Sequence, residues 1–331
     1  MSQQSPAAEG PPYASTTAGL GGLPTIIPDV PICAVFIALF ACSAAANMTI
    51  LQRNRRRGHK FALSGVMFGF SMARITTLVL RVAWAAVRPA SVRLALAAGI
   101  FVNAGVLLLY VVDLLFALRV LRARRPRLGW HPLLRAACVA AYAAVVAALV
   151  MVIVAVVLAA YTTSDHVHRV CRALQLAAST FFLVFAAAPL AVLAAATFLP
   201  RRAAEGGGDE EEEEEQEETF GTRGSMRAKT LIVALTGVLC VVISGFKTGV
   251  AWTAPRPAAD PAWYHSKPAF YIFVFTLEIL TVAFLTALRV DQRFWIPDGS
   301  KGPGDYSAGK SRISNNGDGS FSKKEDANGR C

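Results

Sequence analysis

Seven apolar stretches alternate along the chain with short polar stretches, most of them basic. They run over residues 30–51, 61–87, 94–118, 133–160, 173–199, 230–252 and 269–288. A run of roughly 18 or more apolar residues reads as a membrane span, and at about 1.5 Å per residue each run crosses a hydrocarbon layer of about 30 Å. Within lipid the backbone must satisfy its own polar groups. Helices do this locally, whereas barrel strands would be about ten residues long and strictly alternating, unlike these runs. The predicted fold class is therefore all-α: an integral membrane bundle of seven transmembrane helices.

The polar spacers set the expected orientation. The segments after spans 1, 3, 5 and 7 together hold 24 Lys and Arg, and the opposite side holds six. The excess of basic residues belongs in the cytoplasm. With an odd number of spans, the N-terminus is then outside and the C-terminus cytoplasmic. Residues 1–29 lack Lys and Arg, are rich in Ser, Pro, Gly and Ala, and are predicted to form a disordered external tail. No basic n-region precedes an apolar core there, so span 1 itself directs insertion. The membrane domain covers 30–296. Within it, the cytoplasmic loop 203–222 carries a dense run of glutamates that repel one another, which predicts a flexible linker. Residues 297–331 read as a disordered cytoplasmic tail.

Composition sharpens this picture. Charged residues make up 17% of the chain, below the roughly 25% of soluble domains, which argues against a pair of soluble domains. The net charge of +11 does not point to nucleic acid, because the basic residues flank the apolar runs. The lipid bilayer is the expected partner. Cys42, Cys138 and Cys240 lie inside apolar runs as small packing residues. Cys33 and Cys171 fall near the outer side and leave room for one external disulfide.

Charge inside a bilayer is costly, so the polar residues within the spans are the candidate functional residues. In span 2, Arg74 and Arg81 are seven apart and share a face, with Gly65 and Gly69 roughly opposite. The two glycines form a GxxxG pair that predicts close approach of another helix, as do Gly245 and Gly249 in span 6. Span 2 is expected to touch neighbours on two sides and to sit centrally. Span 3 carries Asn103, Tyr110 and Asp113 on one arc. Span 6 carries Thr236, Cys240, Ser244 and Lys247, and span 7 carries Tyr271, Glu278 and Thr281. Arg74 and Glu278 share mid-membrane depth and are the expected ion pair. Asp113, in the inner third, is the alternative partner for Arg74. Arg81 and Lys247 lie in the outer third and are expected to snorkel to the outer surface. These charges either lock the bundle or line a polar cavity for a ligand or a transported head group.

The remaining chemistry is sparse. All five histidines lie in loops, which disfavours an intramembrane zinc hydrolase and gives no metal site. Span 7 has no lysine for a retinal Schiff base. No phosphate-binding loop or nucleophile motif is present, so neither a cofactor nor an enzymatic activity is expected. Trp84, Trp252, Trp263, Tyr264 and Tyr271 cluster near outer span ends, as interface aromatics do.

The stretches GLGGLPTIIPDVPICAVF (19–36), NRRRGHKFALSGVMFGFSMARI (54–75), IFVNAGVLLLYVVDLLFA (100–117), RLGWHPLL (127–134), DPAWYHSKPAFYIFVFTLEI (260–279) and RFWIPDGSKGPGDYS (293–307) carry a resemblance. They look like a filamentous-fungal family of seven-span membrane proteins of unknown function, often labelled family-C-like G-protein-coupled receptors. The resemblance covers most of residues 19–307. It implies a receptor-like sensor, with a cytoplasmic signalling partner on the basic segments Arg119–Arg135 and Arg223–Lys229. The rhodopsin-type marks are absent: span 3 ends in ALRVLRARR, and span 7 has no Asn-Pro-x-x-Tyr. The layout is also similar to that of fungal seven-span lipid-translocating exporters, which keeps a lipid or amphiphile transporter as the alternative. Either function is expected at the plasma membrane.

Overall fold

The computed structural model describes residues 10–58, 61–87, 91–199, 220–297, 299–300 and 302–306. Among them are seven helices long and apolar enough to cross a membrane. They are α1 (Asp29–Arg56), α2 (Leu63–Ala86), α3 (Val92–Arg124), α4 (Pro132–Tyr161), α5 (Asp165–Phe198), α6 (Met226–Trp252) and α7 (Lys267–Ala287). The chain is thus a multi-pass, all-α membrane protein. The helices start where the local chemistry lets them. Pro132 opens α4 behind His131, whose ring accepts from Leu133 N. Ser225 and Ser266 cap α6 and α7 by accepting from Ala228 N and Ala269 N. Each cap satisfies an amide that the helix cannot.

Helix α3 packs against α2, α4, α5 and α6, while α1 lies between α2 and α7. The central helix is α3 rather than α2: it buries fifteen residues, whereas α4, on the periphery, buries three. Span 2 does have neighbours on two sides, α1 and α3. The missing signal was length of contact. Small and apolar residues cover α3 almost all round from Gly105 to Ala123, so it can be enclosed on every side.

The helix α7 is interrupted. From Tyr271 to Thr276 it winds as a π-helix. There the Leu277 amide donates to Ile272 O, and Thr276 Oγ1 donates 3.1 Å to Tyr271 O. Both links span five residues, so this stretch holds one residue more per turn than the α-helix below it.

Two cores fill the bundle. One surrounds Phe40, Phe70, Tyr110, Phe185 and Phe275 toward the face where α1 begins, the N-terminal face. The other surrounds Phe61, Phe116, Phe220, Phe294 and Tyr306 at the opposite, C-terminal face. In this second core the segment after α7 folds back over the bundle. The Phe294 ring lies tilted against Phe116 with centroids 4.5 Å apart, and Tyr306 meets both Trp130 and Phe220 at 5.7 Å.

Two sequence expectations about the segments change here. Residues 10–28 are tethered rather than a free tail, although most of their side chains stay exposed. Tyr13 N donates to Ala160 O, Ala18 N to Arg256 O and Ala258 N to Thr16 O, which straps this stretch across the N-terminal face. Its glycine- and serine-rich composition masked a segment held by backbone bonds to the end of α4 and to the loop before α7, both distant in sequence. Cys33 and Cys171 are both buried free thiols, so they form no disulfide. Cys33 Sγ lies 3.3 Å from the Tyr271 hydroxyl instead. Residues 1–9, the acidic run 203–219 and the tail from 307 lie outside the described residues.

Candidate functional site

The polar residues of α1, α2, α3, α6 and α7 form three buried groups at successive depths. The deepest toward the N-terminal face is built on Asp29, the first residue of α1, which is fully buried. Its Oδ1 accepts from Arg81 Nη2 at 3.0 Å and from the Tyr271 hydroxyl at 2.6 Å. Its Oδ2 lies 2.5 Å from Lys267 Nζ and accepts from Thr25 N at 2.8 Å. Arg81 also donates through Nη2 to Gly21 O at 2.7 Å, and its guanidinium lies over the Phe270 ring at 4.5 Å. One carboxylate therefore ties α1, α2, α7 and the N-terminal strap together. Gly21 has φ +78°, and a Cβ there would fall 2.6 Å from the Phe270 ring, so only glycine brings its carbonyl to Arg81.

Three expectations meet corrections in this group. Arg81 does not snorkel, since it is only 4% exposed and pairs with Asp29. A nearby carboxylate is cheaper for it than a stretch through lipid. Tyr271 is not an interface aromatic; it is 4% exposed with its hydroxyl engaged by Asp29. Asp29, counted in the external tail, is the centre of the network. A signal for it exists: it is the one charged residue between Glu9 and Arg53.

The middle group joins α2, α3, α6 and α7. Arg74 and Glu278 are both fully buried, with Arg74 Nε 2.5 Å from Glu278 Oε2 and Nη2 2.7 Å from Oε1. The Nη2 contact is a hydrogen bond and the Nε contact a close ion pair. The remaining Arg74 nitrogen, Nη1, donates 3.1 Å to Phe101 O and 3.1 Å to Val102 O of α3. Lys247 Nζ donates to the same Val102 O at 3.0 Å. Lys247 thus turns inward to α3 rather than out to the surface. Its stem is half-buried between helices, so a helix carbonyl is the nearest acceptor.

Toward the C-terminal face, Asp113 is buried away from Arg74. It accepts from Thr236 Oγ1 at 2.5 Å. Tyr110, 1% exposed, sits between these levels with its hydroxyl beside Ser244. Asn103 points elsewhere: it is exposed at the wall of a cavity and donates to Gly99 O of its own helix. Thr281 bonds back to Leu277 O within α7.

The glycines that matter are not the predicted pairs. Among the described residues nothing lies within 4 Å of a Cβ built at Gly69 or Gly249; at Gly65 and Gly245 the contacts are the ordinary 3.5 Å to Leu51 and 3.9 Å to Leu183. A GxxxG spacing permits close approach, and here the neighbouring helices do not use it. Gly105 and Gly237 are the tight positions. A Cβ at Gly105 would lie 3.1 Å from the Arg74 guanidinium, and one at Gly237 would lie 2.8 Å from Leu190 and 3.1 Å from Asp113 Oδ2. Gly105→Ala should therefore displace Arg74 and cost about 1–3 kcal/mol. Gly69→Ala should change stability by less than about 0.5 kcal/mol. Thermal unfolding of the two purified variants in the same detergent checks the contrast.

Above the Asp29 group lies a cavity of about 900 Å³, walled by the strap, α2, α3 and the loop before α7. Its lining includes Arg81, Trp84, Val102, Asn103, Lys267 and Phe270. A second cavity of about 990 Å³ reaches α4, α5 and α6, and Ala14, Ser15, Thr17 and Ala18 of the strap wall both. His265 borders the two cavities and is itself buried. Its Nδ1 accepts from Ala262 N at 3.3 Å. Burial pushes the imidazole below the ordinary histidine range, with Arg256 adding to the effect. The fold then favours neutral His265 more than the unfolded chain does. This contribution is complete above the unfolded value of about 6.5 and declines as pH falls below it. Melting temperatures taken from neutral to mildly acidic pH should show an acid-side loss that His265→Asn reduces.

The basic segments at the C-terminal face divide in two. Arg119 Nη1 donates to Phe294 O, Lys229 Nζ to Phe220 O, and Arg122 Nε to Gly129 O at 3.3 Å. These three bind the protein's own loops, so they do not belong to the surface predicted for a signalling partner. Arg53, Arg55, Arg56, Arg57, Arg135, Arg223 and Arg227 remain exposed.

Compared with known proteins, the chain matches the family model of a protein of unknown function, DUF3112, over residues 126–216 and 209–295, just over half its length. The two matched segments meet within the acidic run. No curated protein and no solved structure matches the chain.

Proposed function

This chain belongs to the DUF3112 family of proteins of unknown function, and we propose that it is a receptor-like sensor, similar to the fungal seven-span proteins labelled G-protein-coupled receptors. In this role the N-terminal face is outside, the basic C-terminal face is cytoplasmic, and the plasma membrane is the site of action. No residue is assigned a catalytic role. One observation carries the proposal: the 900 Å³ cavity lies at the N-terminal face, walled by the strap, α2, α3 and the loop before α7. Beneath it stand the Arg74–Glu278 pair and then a core of interlocked aromatic rings. A one-sided cavity over a filled bundle suits detection better than passage. The cavity also touches Arg81 and Lys267, whose shared partner Asp29 links three helices, so a ligand there would bear on how α7 sits against α1 and α2.

A second function has its own support. Arg81, Arg74, Lys247, Glu278 and Asp113 descend through one bundle, and such a ladder suits a lipid or amphiphile transporter. Reconstitution separates the two. A fluorophore at position 227, on the exposed C-terminal face, is followed while dodecanoate, dodecanol and dodecyltrimethylammonium are added. A sensor gives a saturable shift with at least one of them, and labelled phospholipid stays in its leaflet. Movement of that lipid at a rate that depends on Asp113 or Glu278 would establish transport instead.

A further inference from the structure

We propose that the N-terminal cavity binds a single-chain amphiphile with an anionic head, held by Arg81 and Lys267, with its tail along α2 and α3. The assignment of the cavity as the ligand site rests on the sensor proposal; the chemistry of the ligand rests on charge and on unused donors.

The charge around the cavity does not balance. Among the described residues Asp29 is the one carboxylate in contact with Arg81 and Lys267, at 3.0 and 2.5 Å. Two cations share one anion in a site where the Asp29 side chain is 1% exposed and the Arg81 side chain 5%. One level down, Arg74 pairs with Glu278, and Lys247 Nζ donates to the Val102 carbonyl at the floor of the cavity. Away from water an uncompensated cation is costly, and a bound anion would supply the missing charge.

Donor geometry says where the anion goes. Arg81 spends Nε and Nη2 on Asp29, Tyr271 and Gly21 O, and its Nη1 makes no hydrogen bond among the described residues. Lys267 Nζ is engaged by Asp29 and Thr25, which leaves one of its three protons, and its side chain is 24% exposed. Both residues line the cavity. An anionic oxygen entering between them would take the two spare donors without displacing Asp29. Beyond this pair the wall is largely apolar, with Val92, Ala95, Ala98, Val102 and Phe270 set among the neutral polar residues Thr77, Ser91 and Asn103. The volume of about 900 Å³ lies near the top of the range for small-molecule sites, roughly 300–1,000 Å³. Head and wall together describe a carboxylate on an alkyl chain.

The test uses full-length protein in phosphatidylcholine nanodiscs at about pH 8, where a carboxylate is ionised. Quenching of tryptophan fluorescence is titrated with 11-bromoundecanoate, 11-bromoundecanol and 11-bromoundecyltrimethylammonium. Trp84 and Trp263 line the cavity and act as reporters. The expected result is saturable quenching, with the carboxylate half-saturating at a concentration at least tenfold below the alcohol. Lys267→Gln should shrink that gap to less than threefold without moving the alcohol's midpoint, and Lys267→Arg should keep it. Equal midpoints for carboxylate and alcohol, tighter binding of the ammonium probe, or quenching that rises linearly without saturation each overturn the proposal; the comparison in the unaltered protein decides even if a variant does not fold. Saturable carboxylate binding with no shift at the C-terminal face would overturn the sensor while leaving this ligand chemistry standing.

Discussion

Glu278→Gln is expected to destabilise the protein by about 3–5 kcal/mol, because it leaves Arg74 charged and fully buried. The two α3 carbonyls that accept from Arg74 Nη1 cannot replace a carboxylate. Arg74→Met should cost a similar amount by stranding Glu278. The double variant Arg74→Met with Glu278→Leu should recover much of the loss, since an apolar pair of similar size avoids the desolvation of both charges. Exchanging the charges, Arg74→Glu with Glu278→Arg, should recover less. The exchanged glutamate would face the Phe101 and Val102 carbonyls, acceptor against acceptor. A double-mutant cycle by unfolding in a fixed detergent measures the coupling. Strictly additive losses would show that the two residues stabilise the bundle independently.

Asp29→Asn is the second large expected loss, again about 3–5 kcal/mol. The substitution removes the shared counter-charge of Arg81 and Lys267 while keeping the side-chain shape. Arg81 would be left on the Gly21 carbonyl and the Tyr271 hydroxyl, both neutral. Adding Lys267→Gln should restore part of the stability, because one stranded cation is then gone. The effect should also reach the strap, which hangs on Arg81 through Gly21. Limited proteolysis near residues 13–22 should quicken in Asp29→Asn. A melting temperature within about 1 °C of the unaltered protein would remove Asp29 from the centre of this network.

The helices were legible because lipid makes length and apolarity nearly sufficient to define a span. Their neighbours were less so. Positions 74, 81 and 278 stand out in any apolar run, but which anion serves which cation depends on helix order and rotation. Those are set by packing at Gly105 of α3 and Gly237 of α6, which no polar periodicity marks. Asp29 was missed for a different reason. A carboxylate just after a proline, in a stretch free of other charge, reads as a loop residue when spans are bounded by apolarity. Its partners on α2 and α7 are 52 and 238 positions away. The exposed arginines at the C-terminal face were read correctly as a basic flank, yet the flank alone could not separate Arg119 and Lys229, whose carbonyl partners lie on loops folded back beneath them.

The π-helical stretch of α7 begins at Tyr271 and separates Lys267 from Glu278. It acts as a spacer of one residue, and one residue of helix corresponds to a rotation of about 100°. With that extra residue in place, the upper turns aim Tyr271 and Lys267 at Asp29 while the lower turns aim Glu278 at Arg74. A regular α-helix of the same sequence could satisfy either pair, but would swing the other set of side chains toward lipid or a different neighbour. The two ion pairs are therefore phased against each other by a single wound-in residue. Unwinding that residue would release one of the pairs, and deleting Ile272 is the smallest change that would put the two halves of α7 out of phase.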